Sequence, residues 1–363
     1  MINILIPLSG KNTFETTSVN SFPRILNEID GKLLIERSAK PFINLDLDKQ
    51  ITVALPQPES DKYKLNKVLS LLGSDIKNCA INGQTQGSVC SALLAMEELD
   101  LNSPLIISSF EQVIDFDITP NINMFIDEEV DAGVFTFEAM HPKWSYVKTD
   151  ANGFVVQAAE KMPISNQAIA GLFYFKTAAL FIESAKSMIR KDVKTNGSFF
   201  ISPTLNEVIL NEGKVKAIAI DKSKYFHVSD EHALESYEQK VLENNIKVKD
   251  IILQNTHDYA AAFDSKDIEL VKSFFSEKFS LTDPAGTFLG KSVVTEYING
   301  IFKAEPELSF LVKNIYVTDT YRSIIEFELY VGSKKLVGTD VIEWNQNYRM
   351  TKMNAYLYEV NNG

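Results

Sequence analysis

The chain opens Met1-Ile2-Asn3-Ile4-Leu5-Ile6-Pro7-Leu8-Ser9-Gly10-Lys11-Asn12-Thr13-Phe14. The aliphatic run is far too short for a signal segment or a membrane span, and it reads as a strand buried in a core. A turn carrying glycine and lysine directly after a first buried strand is where backbone amides can cradle phosphate oxygens. Outward from here, short apolar runs at 51–55, 105–108, 132–138 and 170–175 alternate with stretches of helical period. In 88–99 the residues Val89, Ala92, Leu93 and Met96 share one helical face, and in 177–190 Leu180, Phe181, Ala185, Met188 and Ile189 do the same. That alternation over 1–235 predicts a layered α/β domain.

With 363 residues the chain exceeds one ordinary domain. At 236–249 the text turns polar and charged, which predicts a solvated linker helix, and the order of elements then changes. Helices are expected at 251–263 and 268–275, followed by alternating strands at 308–317, 321–331, 335–345 and 348–360. Residues 250–363 therefore read as a separate α+β domain with an antiparallel meander. Acidic residues outnumber basic ones 48 to 36, for a net charge of −12, which works against unspecific binding to nucleic acid or to an anionic membrane. Two cysteines, Cys79 and Cys90, suit a reducing compartment, and the cytoplasm is the expected location.

Several segments together carry a family resemblance. After the opening turn come Phe22-Pro23-Arg24-Ile25-Leu26 and Ile29-Asp30-Gly31-Lys32-Leu33-Leu34-Ile35-Glu36, then Gln86-Gly87-Ser88-Val89, and then Ser108-Ser109-Phe110-Glu111-Gln112-Val113-Ile114-Asp115. Further on stand His141-Pro142-Lys143-Trp144-Ser145-Tyr146, Glu160-Lys161-Met162-Pro163 and Gly171-Leu172-Phe173-Tyr174-Phe175. In order and spacing, residues 1–235 resemble the sugar-nucleotide pyrophosphorylases and nucleotidyltransferases. The run from His141 is similar to a capsule-locus branch that includes cytidylyltransferases. The resemblance implies a GT-A/Rossmann-like fold, a nucleoside triphosphate and a phosphorylated small molecule as ligands, and Mg2+ if the protein is active. On it, Leu8, Ser9, Gly10, Lys11 and Asn12 line the nucleotide, and Gly87 and Ser88 face the base. Arg24 and Lys11 act on the phosphates, Glu111 holds the metal, and Lys143, Glu160 and Lys161 meet the acceptor.

Nucleotidyl transfer builds negative charge on phosphoryl oxygens as pyrophosphate leaves in line, so cations and amide donors carry the catalysis. This sequence departs from the family at several of those positions. Asn12 replaces a loop glycine, and Phe14 replaces the loop arginine. Glu111 replaces the metal aspartate, and His227 falls where many members have a second one. Imidazole is a poor ligand for a hard cation. His227 and His232 lie five apart, which does not suit a helical metal pair, and they are expected at the surface. Two readings stay open: an active Mg-dependent transferase using Glu111 and Arg24, or a domain that keeps the fold and serves in binding or scaffolding. Loss of the loop arginine and glycine together with both aspartates favours the second.

In the C-terminal part, Tyr259-Ala260-Ala261-Ala262-Phe263-Asp264, Phe279-Ser280-Leu281-Thr282-Asp283-Pro284, Gly290-Lys291-Ser292 and Asp340-Val341-Ile342-Glu343-Trp344 resemble NTF2-like domains of the SnoaL type. The resemblance implies a curved sheet wrapped on helices into a cone around an apolar pocket. Asp283, Tyr316, Asp340 and Tyr356 are its candidate pocket residues, and a carboxylate buried there would have a raised pKa. The domain is expected to act mainly in assembly, making a homodimer through its sheet. A third reading makes the cone the enzyme and the first domain a deliverer of substrate.

Overall fold

The computed structural model describes residues 1–8, 13, 14, 16, 22–319 and 321–360. It divides into two units, Met1–Glu238 and Gln239–Gly363. Among the described residues no helix is long and apolar enough to cross a membrane.

Unit 1 is built on a nine-stranded mixed sheet. Its parallel centre joins β1 (Ile2–Pro7) to β4 (Lys49–Pro56) and to β6 (Leu105–Ile107), with β5 (Ile76–Ile81) beside β4; the two-residue strands β2 (Glu28–Ile29) and β3 (Lys32–Leu33) form a separate hairpin. On the other side, β11 (Gln167–Phe175) runs antiparallel to β6 and to β8 (Ala132–Glu138). The remaining strands of this sheet are β9 (Tyr146–Thr149), β10 (Val155–Ala159) and β12 (Val215–Ala219), which pairs with β8. A small ribbon of β7 (Gln112–Ile114) and β13 (Tyr225–His227) stands apart. Helices α1 (Leu34–Ile43), α2 (Gln57–Tyr63), α3 (Leu65–Leu72), α4 (Ser88–Leu94), α5 (Thr119–Asp127), α6 (Ala178–Arg190) and α7 (Thr204–Leu210) supply the layers.

The opening strand is buried along nearly all its length, because its two faces feed two hydrophobic cores: Ile2, Ile4 and Ile6 in one, Leu5 in the other. This is why it shows no polar alternation. Helix α6 begins where the Thr177 side chain caps it, accepting from the Leu180 N–H at 3.1 Å. The predicted helix at 88–99 is shorter: α4 ends at Leu94, and a single 3₁₀ turn follows at Met96–Glu98.

The polar segment expected as a linker helix and the helix expected from residue 251 form one continuous helix, α8 (Glu231–Asp264), within which the two units divide. Unit 2 then runs α9 (Ile268–Ser273), β14 (Phe275–Asp283), β15 (Gly286–Leu289), α10 (Lys291–Ala304), β16 (Ser309–Asp319), β17 (Arg322–Val331), β18 (Lys334–Trp344) and β19 (Met350–Glu359). The sheet order is β15-β14-β19-β18-β17-β16, with β14 parallel to β19 and the other pairs antiparallel. Strands β14 and β15 follow the two expected helices, in a stretch where no strand is expected. The fully buried rings of Phe275 and Phe279 on β14 stack 4.2 Å apart, so this segment is bound to the core by its apolar residues. A buried polar chain locks α8 to the sheet: Thr256 Oγ1 and Trp344 Nε1 each lie 2.9 Å from Ser323 Oγ.

Candidate functional site

In unit 1, the loop between β6 and β7 brings Glu111 to a 3₁₀ turn, Arg24–Leu26, that presents Arg24. The Arg24 Nη2 donates to Glu111 Oε1 at 3.4 Å, with both side chains largely withdrawn from solvent. Burial raises the Glu111 carboxyl above the usual carboxylate range, although the Arg24 charge and a hydrogen bond with Thr13 pull the other way. Arg24 Nε is buried without a partner among the described residues. Phe14, at the position of the family's loop arginine, packs its ring on the hydrophobic core.

The β7–β13 ribbon places His227 opposite Gln112, and the Val228 N–H donates to the Glu111 carbonyl at 2.8 Å. His227 is therefore beside Glu111 and is not the surface histidine expected from its spacing to His232, which is exposed. Its ring meets Trp144 edge-on at 5.0 Å, and Nδ1 is buried with no hydrogen-bond partner among the described residues. Burial, then the charges of Lys143 and Arg24, pull its pKa down to about 4 against the opposing effect of Asp230. Lys143 is exposed, with Nζ 4.7 Å from the Trp144 ring centroid.

Gln112 anchors this ribbon. Its Nε2 donates to Ser108 Oγ at 2.8 Å and to the Gly171 carbonyl at 3.0 Å, while its Oε1 accepts from the Tyr225 hydroxyl at 3.0 Å. Gly171 sits at φ +59, and a Cβ there would lie 2.0 Å from Gln112 Oε1, so only glycine admits the contact. Gly87 at φ +115 precedes α4, and a Cβ there would meet the Phe199 carbonyl at 2.4 Å. Gly87 is thus placed by close packing on Phe199, and Ser88 opens α4.

The residues expected to meet an acceptor are linked through the run Lys143-Trp144-Ser145. Glu160 accepts from the hydroxyls of Ser145 and Ser202, and Lys161, at φ +55, lays its Nζ 4.6 Å from the Phe200 ring centroid. Leu8 departs from its expected role: it is 1% exposed, packs into the core and donates its N–H to the Ala54 carbonyl at 2.9 Å. Ser9, Gly10, Lys11 and Asn12 lie outside the described residues.

The donor set does not fit the magnesium site that the family resemblance implies. One carboxylate is committed to a guanidinium, and the second position carries an imidazole held neutral by burial. Among the described residues no three His, Cys, Asp or Glu side chains gather in a way that could hold a metal ion.

Unit 2 contains a cavity of about 260 Å³ lined by residues of α8, α10 and the sheet. Asp340 and Asp283 are both among the residues that line it. Asp340 is 5% exposed, and its Oδ1 has no partner among the described residues. Burial, followed by the Asp283 charge, raises its pKa to about 7. Asp283 closes the β14–β15 turn: its Oδ1 accepts from the N–H groups of Ala285 and Gly286 at 2.8 and 3.1 Å, and its Oδ2 accepts from the Tyr297 hydroxyl at 2.5 Å. Tyr316 and Tyr356 do not line this cavity. They are 48% and 62% exposed, because strand alternation turns them outward while Ile315, Ala355 and Leu357 turn in. The tyrosines that do line it, Tyr259 and Tyr297, carried no local signal in the sequence, since both lie on helices whose apolar faces read as packing.

Unit 1 has the fold of sugar-nucleotide pyrophosphorylases. It is similar to a nucleoside-diphosphate-sugar pyrophosphorylase from Vibrio cholerae RC9, with TM-score 0.58 and 19% identity over 66% of this chain and 100% of that one. It is also similar to a UDP-glucose pyrophosphorylase from Acinetobacter baumanii, with TM-score 0.51 and 12% identity over 66% of this chain and 92% of that one. Residues 256–352 match the family model of the SnoaL-like domain, which places unit 2 among the NTF2-like α+β folds. No curated protein matches the chain. The fold class is therefore a nucleotidyltransferase-like α/β unit followed by a SnoaL-like unit.

Proposed function

We propose that unit 1 binds a nucleotide or a phosphorylated small molecule in the cytoplasm without performing magnesium-dependent nucleotidyl transfer, and serves as a binding or scaffold protein in making surface-polysaccharide precursors. The observation that carries this reading is the Arg24–Glu111 ion pair at 3.4 Å. A carboxylate that neutralises a guanidinium inside the protein is poorly available to a cation, and the histidine beside it offers no oxygen. Arg24 Nε and the exposed Lys143 supply donors and positive charge for an anionic ligand. The place in polysaccharide synthesis is supported by the resemblance of the run from His141 to Ser165. The outward tyrosines of unit 2, Tyr316, Tyr330, Tyr356 and Tyr358, support a homodimer through that sheet.

The test is calorimetric titration of CTP, UTP, dTTP and ATP with and without magnesium, alongside an assay of pyrophosphate release with phosphorylated acceptors. The reading expects an affinity indifferent to magnesium and no release. Turnover that requires magnesium and disappears in Glu111→Ala would establish an active transferase in its place.

A further inference from the structure

The unit 2 cavity has an unusual balance of charge. Its walls are aliphatic and aromatic, two carboxyl groups face it, and no lysine, arginine or histidine is among the described residues that line it. Asp283 is satisfied where it stands, taking one hydroxyl and two backbone donors. Asp340 is different: it is almost wholly enclosed, it faces the cavity, and one of its oxygens accepts from nothing among the described residues. The Tyr259 hydroxyl lies 3.9 Å from the Met353 sulfur and does not serve Asp340. Asp283, Tyr259 and Tyr297 are the titratable groups that share the lining with it.

A buried carboxylate without a counter-charge either takes up a proton or recruits a cation from outside. An anionic ligand would be repelled by both carboxyl groups. A sugar would leave most of its hydroxyls without partners against these walls. The rings of Phe263, Phe310 and Phe327 line the same cavity, with centroids 5.2 Å apart for Phe263 and Phe310 and 4.6 Å for Phe310 and Phe327. Aromatic faces beside a carboxylate are the setting in which organic ammonium groups are held. Pro284 and Ala285, exposed at the β14–β15 turn, also line the cavity and mark its mouth at Asp283.

We propose that this cavity binds a small, largely apolar organic amine as its ammonium, paired with the Asp340 carboxylate and enclosed by the aromatic walls. A volume of about 260 Å³ accommodates a body of one aromatic ring with a short chain. The assignment concerns unit 2 alone and does not depend on what unit 1 binds.

Phenethylamine, 2-phenylethanol and phenylacetate, titrated calorimetrically into the full chain at pH 8, test it. The amine is expected to bind at least about tenfold more tightly than the isosteric alcohol, with phenylacetate undetectable. Amine affinity should fall about tenfold per pH unit once Asp340 is protonated, and Asp340→Asn should abolish the preference for amine over alcohol. Since that variant disturbs a buried group, carbon NMR titration of Asp340 in the unaltered protein provides an independent readout: saturating amine should shift its protonation midpoint to at least about tenfold higher proton concentration. Absence of amine binding, alcohol or phenylacetate binding as tightly as the amine, or an amine affinity flat from pH 5 to 8 would each overturn the proposal.

Discussion

The two units treat buried charge in opposite ways. In unit 1 a guanidinium and a carboxylate neutralise one another, and the neighbouring histidine is kept neutral with a pKa pulled down to about 4. In unit 2 a carboxyl is enclosed with no cationic side chain among the described residues that line its cavity, and its pKa is pushed up to about 7. The first arrangement balances its charges within one ion pair, while the second keeps an unanswered carboxyl facing a cavity. The site of unit 1 thus answers its own charges, whereas unit 2 retains the less settled electrostatics.

This contrast has a pH signature of opposite sign in each unit. Because the folded pKa of Asp340 is raised, its stabilising contribution is complete below the unfolded value near 3.8 and is lost as pH rises through about 7. The expected loss is about 4 kcal/mol, read as faster hydrogen exchange in unit 2, and Asp340→Asn should flatten that slope. His227 works the other way: its contribution is complete above 6.5 and is lost as pH falls toward about 4. The expected loss is about 3 kcal/mol, confined to unit 1, and His227→Asn should remove it. If both units lost stability in the same direction of pH, the comparison would fail.

Smaller effects sharpen the picture. Glu111→Gln leaves Arg24 unpaired and should lower unit 1 stability by about 1–2 kcal/mol, while inorganic phosphate binds several-fold more tightly to the released guanidinium. Calorimetry with phosphate checks this, and an unchanged affinity would mean that the ion pair does not govern the anion site. The smallest effect is expected from Tyr316→Ser with Tyr356→Ser, where stability should change by no more than about 0.5 kcal/mol for each because both side chains are exposed. The oligomeric state seen by light scattering should nonetheless move toward monomer if the sheet is the dimer interface.

Much of the architecture was legible in the chain. The strand Ile2–Pro7 stands where its aliphatic run placed it, Ala132–Glu138 likewise, and α6 starts one residue after the threonine that caps it. These features depend on neighbours within one turn or one strand, which periodicity registers directly. Strands β14 and β15 were missed because their apolar residues are interleaved with Ser276, Glu277, Lys278 and Thr282, a pattern that also suits a loop. The resemblance makes Tyr356 a candidate pocket residue but does not fix the strand register, and one residue of phase moves a side chain across a sheet. The opposite faces of Tyr356 and Ala355 illustrate the point.

What the amino-acid order determined by itself was the succession of elements and the kinds of chemical group available: no loop arginine, a glutamate and a histidine in place of two aspartates, and carboxyl groups in a cone-forming domain. Which of those groups meet was decided only by tertiary structure. Arg24 reaches Glu111 across 87 residues, and Asp340 shares its cavity with Asp283, Tyr259 and Tyr297 because helices and strands distant in sequence close around it. Local patterns report how a segment buries its own face, but pairing between charges and the solvent each one loses are properties of the space that several segments enclose together.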